Sequence, residues 1–215
     1  MIKVFGRKTS SNVQAVLWGL AELGLDFEQL DYGHVHGGLD SPEFRALSPH
    51  GLVPVIKDGD VVVWESCAIL RYLAARHGDG GVFWPDHPMA RVSVDTWAEW
   101  GKTSFCGDFT APIFWLRVRT AARDRDEAAL LRGIAGFEKK LDTLDGQLAQ
   151  HKYVVSDGFT LADIVIGHVL FRWFDMDIAR KARPLVEAYY QRLALRPAFR
   201  KHVMVSYDML RAEGA

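Results

Sequence analysis

Cysteine is nearly absent from this chain of 215 residues: Cys67 and Cys106 are the only two. Neither belongs to a CxxC pair, which argues against a disulfide scaffold and a zinc ribbon. A charge of one sign is missing too. Lys and Arg total 26 against 27 Asp and Glu, a net charge of -1. That balance gives no electrostatic support to a nucleic-acid or anionic-membrane partner. Long apolar runs are absent: residues 164–171 form one of the longest, far short of the ~20 that a membrane span needs. The opening MIKVFGRK reaches charge and glycine too early for a signal peptide. There is no internal repeat and no low-complexity tract. The expectation is a cytoplasmic chain, 49% hydrophobic, large enough for one sizeable domain or two small ones.

What is present divides in two. IKVFG (residues 2–6) predicts a short strand ending at glycine. Residues 12–23 carry Val13, Val16, Leu17 and Leu20 at helical spacing, with Gly24 as the stop. FEQLDY (27–32) predicts a second strand, and SPEFRAL (41–47) a short helix with Ser41 as cap and Pro42 at its first position. VPVIKDGDVVVW (53–64) predicts a hairpin turning at Asp58-Gly59. A helix over 66–76 follows. HGDGG and the sequence up to Pro88 predict a linker. Beyond it strand signals are scarce and amphipathic helices dominate, with Val94, Trp97, Ala98, Gly101 and Phe105 in one series and Leu131, Ile134, Phe137, Leu141, Leu144 and Leu148 in another. Pro112 is expected to kink or end the first. FTLADI (159–164) predicts a capped helix start, with Thr160 and Asp163 as capping box and Phe159 stapled to Ile164. Residues 184–196 predict another helix, stopped near Pro197. The expectation is an α/β domain over 1–78 and an all-helical domain over 88–215.

Three stretches of the first half bear on chemistry. GRKTSSNVQAVLW (6–18) places Ser10, Ser11 and Asn12 where a strand hands over to a helix N-terminus. Free N–H groups and a partial positive charge gather there, suited to an anion. On the stretch alone, a simple cap by Ser11 or Asn12 is the commoner reading. GLVPVI places Val53-Pro54 at a strand start. A cis bond there would leave Val53 backbone groups open to an extended ligand, while an ordinary trans proline fits the same letters. WESCAIL opens a helix with Glu65 and Ser66, a carboxylate beside free N–H groups. That pair suits an α-amino-acid head, although a cap plus a solvated acid also accounts for it. His34 and His36 form an HxH pair without further ligands at metal spacing, so no metal is expected.

Together and in this order, with FTLADI, these motifs resemble the cytosolic glutathione S-transferase superfamily, in particular a bacterial theta-like, serine-type group. The resemblance runs along essentially the whole chain. It implies a thioredoxin-like N-terminal domain, an all-α C-terminal domain and a homodimer. It implies glutathione as co-substrate and a small hydrophobic electrophile as second substrate, with dehalogenation or peroxide reduction as further activities. Ser10 falls on the position that donates to the glutathione sulfur. Asn12 stands where many theta and delta members have proline, and serves as a second donor. Arg7 adds positive potential, and Ser11 caps. Val53, with Pro54 cis, pairs with the cysteinyl backbone, Glu65 and Ser66 hold the γ-glutamyl head, and His50 or the loop 34–38 meets the glycyl carboxylate. Leu52 departs from the polar residue of several classes. No cysteine stands in the opening motif, which argues against thiol-disulfide chemistry. Phe105, Phe109 and Trp115 are candidates for the electrophile pocket, while Cys67 and Cys106 are assigned to packing. The alternative is a non-catalytic interaction module of the same fold.

Overall fold

The computed structural model describes residues 1–214; Ala215, the last residue of the expected helical domain, lies outside them. The first half runs β1 (Ile2–Phe5), α1 (Ser11–Glu22), β2 (Phe27–Leu30), α2 (Pro42–Leu47), β3 (Val55–Asp58), β4 (Val61–Trp64) and α3 (Ser66–His77). The sheet order is β2-β1-β3-β4. β1 and β2 run parallel, whereas β3 is antiparallel to both its neighbours. This is a thioredoxin-like unit. The hairpin turns one residue later than expected: Asp58 still pairs with Val61, so the two loop residues are Gly59 and Asp60. Asp58 is held in the ladder because its carboxylate accepts from Tyr72 Oη (2.9 Å) and lies 2.7 Å from His77 Nε2.

The second half is helical: α4 (Pro88–Trp100), α5 (Cys106–Phe109), α6 (Leu116–Val118), α7 (Glu127–Leu148), α8 (Leu161–Gly167), α9 (Leu170–Asp175), α10 (Pro184–Ala194) and α11 (Pro197–His202). Pro197 opens α11 as well as following α10. α4, α5 and α6 are one continuous rod, 88–118, widened by π turns at Gly101–Phe105 and Thr110–Trp115. Pro112 therefore does not end the helix. It sits inside the second π turn, where the wider ring tolerates its missing N–H. At the start of α8 Asp163 accepts from the Thr160 N–H (2.7 Å) and hydroxyl (2.9 Å), and also from Val154 N–H (2.9 Å) and Tyr189 Oη (2.9 Å). No helix among the described residues is long and apolar enough to cross a membrane.

α1 joins the halves by burying two faces. Val13, Val16, Leu17 and Leu20 lie on the sheet, with Ile56, Ile69 and Leu73. Ala15 and Trp18 belong to the core of the helical half, with Ile164, Ile166 and Phe199. Glu22 fixes the arrangement by accepting from Trp18 Nε1 (2.8 Å) and from Arg196 Nε (2.8 Å).

Candidate active site

The strand-to-helix turns after β1 and β4 meet under the long rod. Ser10 is the N-cap residue of α1 in extended conformation (φ -83, ψ 122), yet its side chain makes no capping hydrogen bond. Its N–H donates to Arg7 O (3.1 Å), closing the turn 7–10, and its hydroxyl is left free to donate. Ser11 and Asn12 are the first two helical residues, so neither is the N-cap. Ser66 opens α3, and Glu65 before it has φ 69 and ψ 119. That left-handed region is uncommon for a residue with a side chain and marks a constrained position.

One side chain ties these turns together. Lys102 Nζ, from the first π turn of the rod, donates to Asn12 Oδ1 (2.9 Å) and to Ser66 Oγ (3.1 Å). An ammonium offers only donors, so it holds Asn12 by the oxygen and leaves the amide N–H2 available. Sequence reasoning missed Lys102. It lies 90 residues from Asn12, and one lysine in an amphipathic helix reads as solvated.

The Val53-Pro54 peptide is cis, and neither backbone group of Val53 is paired among the described residues. The Pro54 peptide leads directly into β3. Nearby, His50 Nε2 lies 3.5 Å from a Glu65 carboxylate oxygen, its Nδ1 lies 3.0 Å from Ser48 Oγ, and its ring packs on Trp64. His50 is thus brought to Glu65. Arg7 leans on the loop after β2: its Nη1 is 3.1 Å from where a Gly33 side chain would begin. His34 and His36 form a short exposed 3-10 turn in that loop.

Two of the pocket candidates are core instead. Phe105 and Phe109 are buried and pack at a tilt against Phe137, with ring centroids 4.7 and 5.3 Å apart. Phe105 continues the buried series of Val94, Ala98 and Gly101, and Phe109 follows it four residues on, so both rings face the core. Trp115 is 47% exposed. Cys67 and Cys106 are buried. Burial pushes the Cys106 thiol up to about 12 and also raises Cys67, so neither is a nucleophile near neutral pH.

Known proteins resemble this chain in sequence and fold. The glutathione S-transferase N-terminal domain family matches residues 1–75 and its C-terminal domain family residues 95–197. Glutathione S-transferase GstB of Escherichia coli is 36% identical over 95% of this chain and 99% of its own. Glutathione S-transferase 3 of Zea mays is 34% identical over 94% and 93%. Among solved structures, the theta class glutathione S-transferase of Xanthomonas axonopodis pv. citri with glutathione bound superposes with a TM-score of 0.90. It is 38% identical, over 95% of this chain and 98% of that one. On sequence, fold and the disposition of its strand-to-helix turns, the chain belongs to the glutathione S-transferase family.

Proposed function

We propose that this chain is a glutathione transferase that joins the glutathione thiolate to small electrophiles. It works in the cytoplasm as a homodimer and serves detoxification. Residues 1–78 bind glutathione and residues 88–215 line the electrophile side. The observation that carries this reading is the convergence of Asn12 and Ser66 on one cation, Lys102, beside the free Ser10 hydroxyl at the head of α1 and the open backbone of Val53.

Each group has a task that its chemistry suits. The first N–H groups of α3, the Ser66 hydroxyl and Lys102 receive the γ-glutamyl carboxylate. Glu65 faces the ammonium, the Val53 backbone pairs with the cysteinyl backbone as an added strand, and His50 takes the glycyl carboxylate. The Ser10 hydroxyl and the Asn12 amide then donate to sulfur, with Ser11 and the end of α1 behind them and Arg7 adding positive potential. Donors aimed at a thiolate lower a thiol pKa that starts near ~8.5. The sulfur lone pair forms the C–S bond, the leaving group departs with its electron pair, and the thiol proton goes to solvent. Halo-compounds are within reach of this chemistry.

The test is a glutathione titration followed by tryptophan fluorescence, with Glu65→Ala and Ser10→Ala beside the parent. Expected are saturable binding that Glu65→Ala abolishes, and at least a 10-fold loss of turnover in Ser10→Ala, equivalent to ~1.4 kcal/mol. Absence of binding at millimolar glutathione would make the chain an interaction module. Full activity in Ser10→Ala with none in Asn12→Ala would move the sulfur donor to Asn12.

A further inference from the structure

Elsewhere in the molecule several guanidinium groups are matched by acids, Arg180 excepted: it donates to the Phe174 and Met176 carbonyls and keeps a buried Nε without a partner. Arg183 donates to Glu138 and Asp142, Arg71 to Asp95 and Glu99, and Arg196 to Glu22. Three arginines beside the opening turn are not matched. Arg172 is 3% exposed. It reaches from α9 to donate through Nη2 to the Thr9 carbonyl (2.8 Å), lies over the Phe114 ring at 4.3 Å, and keeps a buried Nε without a partner. Arg7, at the head of the same turn, also has a buried, partnerless Nε. Arg119, just past the end of the rod, carries its guanidinium over the half-exposed Trp115 ring at 5.3 Å. Among the described residues none of the three is paired with a carboxylate.

These cations feel one another. Burial first, then Arg119, lowers Arg7. Burial brings Arg172 down to about 10, and Arg7 and Arg119 push it the same way, Tyr207 opposing them. The exposed His34 across the loop is lowered by slight burial and by Arg7 and Arg119. Bridging the two halves accounts for one Arg172 nitrogen, the one on Thr9. It leaves the gathering of three like charges without a counter-charge unexplained, and such a gathering is unfavourable until an anion joins it.

We propose that Arg7, Arg119 and Arg172 form an anion subsite beside Ser10, and that the electrophile of this enzyme carries a carboxylate or sulfonate. The proposal rests on the transferase reading for its reaction but not for the subsite itself. A thiolate attacking an anionic molecule brings two negative charges together, and guanidinium groups on the far side of the electrophile offset that repulsion. The half-exposed Trp115 beneath Arg119 offers an aromatic face next to the charge.

Two arms test it. In the first, phenylacetate and its neutral analogue phenylacetamide are titrated against the parent and Arg119→Gln without glutathione. The expected result is at least 10-fold tighter binding of phenylacetate, weakened by salt and lost in Arg119→Gln. Equal binding of the two overturns the subsite. In the second, glutathione reacts with 4-(chloromethyl)benzoate and 4-(chloromethyl)benzamide. Sulfur forms the bond to the benzylic carbon, chloride leaves with the electron pair, and the thiol proton goes to buffer. The ratio of the two kcat/KM values, each divided by its uncatalysed rate, is expected to fall 10-fold or more in Arg119→Gln. An unchanged ratio with brisk turnover of both overturns the subsite and leaves the transferase reading standing. Preference for phenylacetate with no glutathione-dependent turnover keeps the subsite and removes the transferase reading. Should Arg119→Gln weaken glutathione itself and leave the ratio alone, the cluster is a clamp for a glutathione carboxylate and the proposal falls.

Discussion

Asn12 and Ser66 present oxygens to Lys102, and each contact, at 2.9 and 3.1 Å, is a charge-assisted hydrogen bond of the stronger kind. Removing the ammonium leaves two acceptors and no cation where the γ-glutamyl carboxylate is proposed to sit. Lys102→Met, which keeps the length of the stem, is therefore expected to raise the glutathione dissociation constant about 10-fold or more, ~1.4 kcal/mol. Its melting temperature should stay close to the parent's, since the lysine is partly exposed and covers no core. Isothermal titration checks the first figure and a thermal melt the second. A glutathione affinity that does not move would show that Lys102 acts only as a brace between α1 and α3.

At the scale of elements the rod and α7 approach closely, and glycine sets the distance. A side chain at Gly133 would start 2.8 Å from the Pro112 carbonyl oxygen. Backbone cannot yield as a side-chain tip can, so Gly133→Ala is expected to cost about 1–3 kcal/mol. Gly136, in the same helix, has nothing within 4 Å of such an atom. There alanine should stabilise by roughly 0.5–1 kcal/mol through helix propensity alone. Urea unfolding of both variants reads the opposite signs, and equal signs would refute the close contact. Such contacts also mark what the letters could show. Ser10, Glu65 and Ser66 stand at strand-to-helix junctions, where caps, glycines and β-branched runs leave local marks. Thus the β-α-β-α-β-β-α order and the strand-to-helix junctions that carry the expected site could be read directly. The π turns could not, because no residue pattern marks where the helix widens, and Phe105 and Phe109 are core because they extend the buried apolar series of the rod. Lys102 and Arg172 reach partners 90 and 163 residues away, and no local pattern marks either.

Across the whole molecule, stability depends on a histidine that stays neutral. His168 is buried at the heart of the helical half, and burial brings it down from 6.5 to about 3. The unfolded chain takes up that proton below pH 6.5, while the folded chain does not until near 3. The contribution is complete above pH 6.5 and is lost as pH falls toward 3. Between pH 7.5 and 5 this amounts to about 2 kcal/mol. Half-buried His202, lowered to about 4, acts with the same sign. Urea midpoints at the two pH values measure the loss, and the His168 ring resonances should not titrate above pH 5. A ring that does titrate there refutes the argument. Lys102 has a different consequence for the molecule as a whole. It belongs to the helical half yet completes a constellation built on the sheet half, so the constellation is a seam. Whatever binds at that seam must favour the docked arrangement of the two halves, and docking must favour binding by the same factor. Affinity and cohesion are then linked through one coupling free energy, which shows itself only while the seam is occupied.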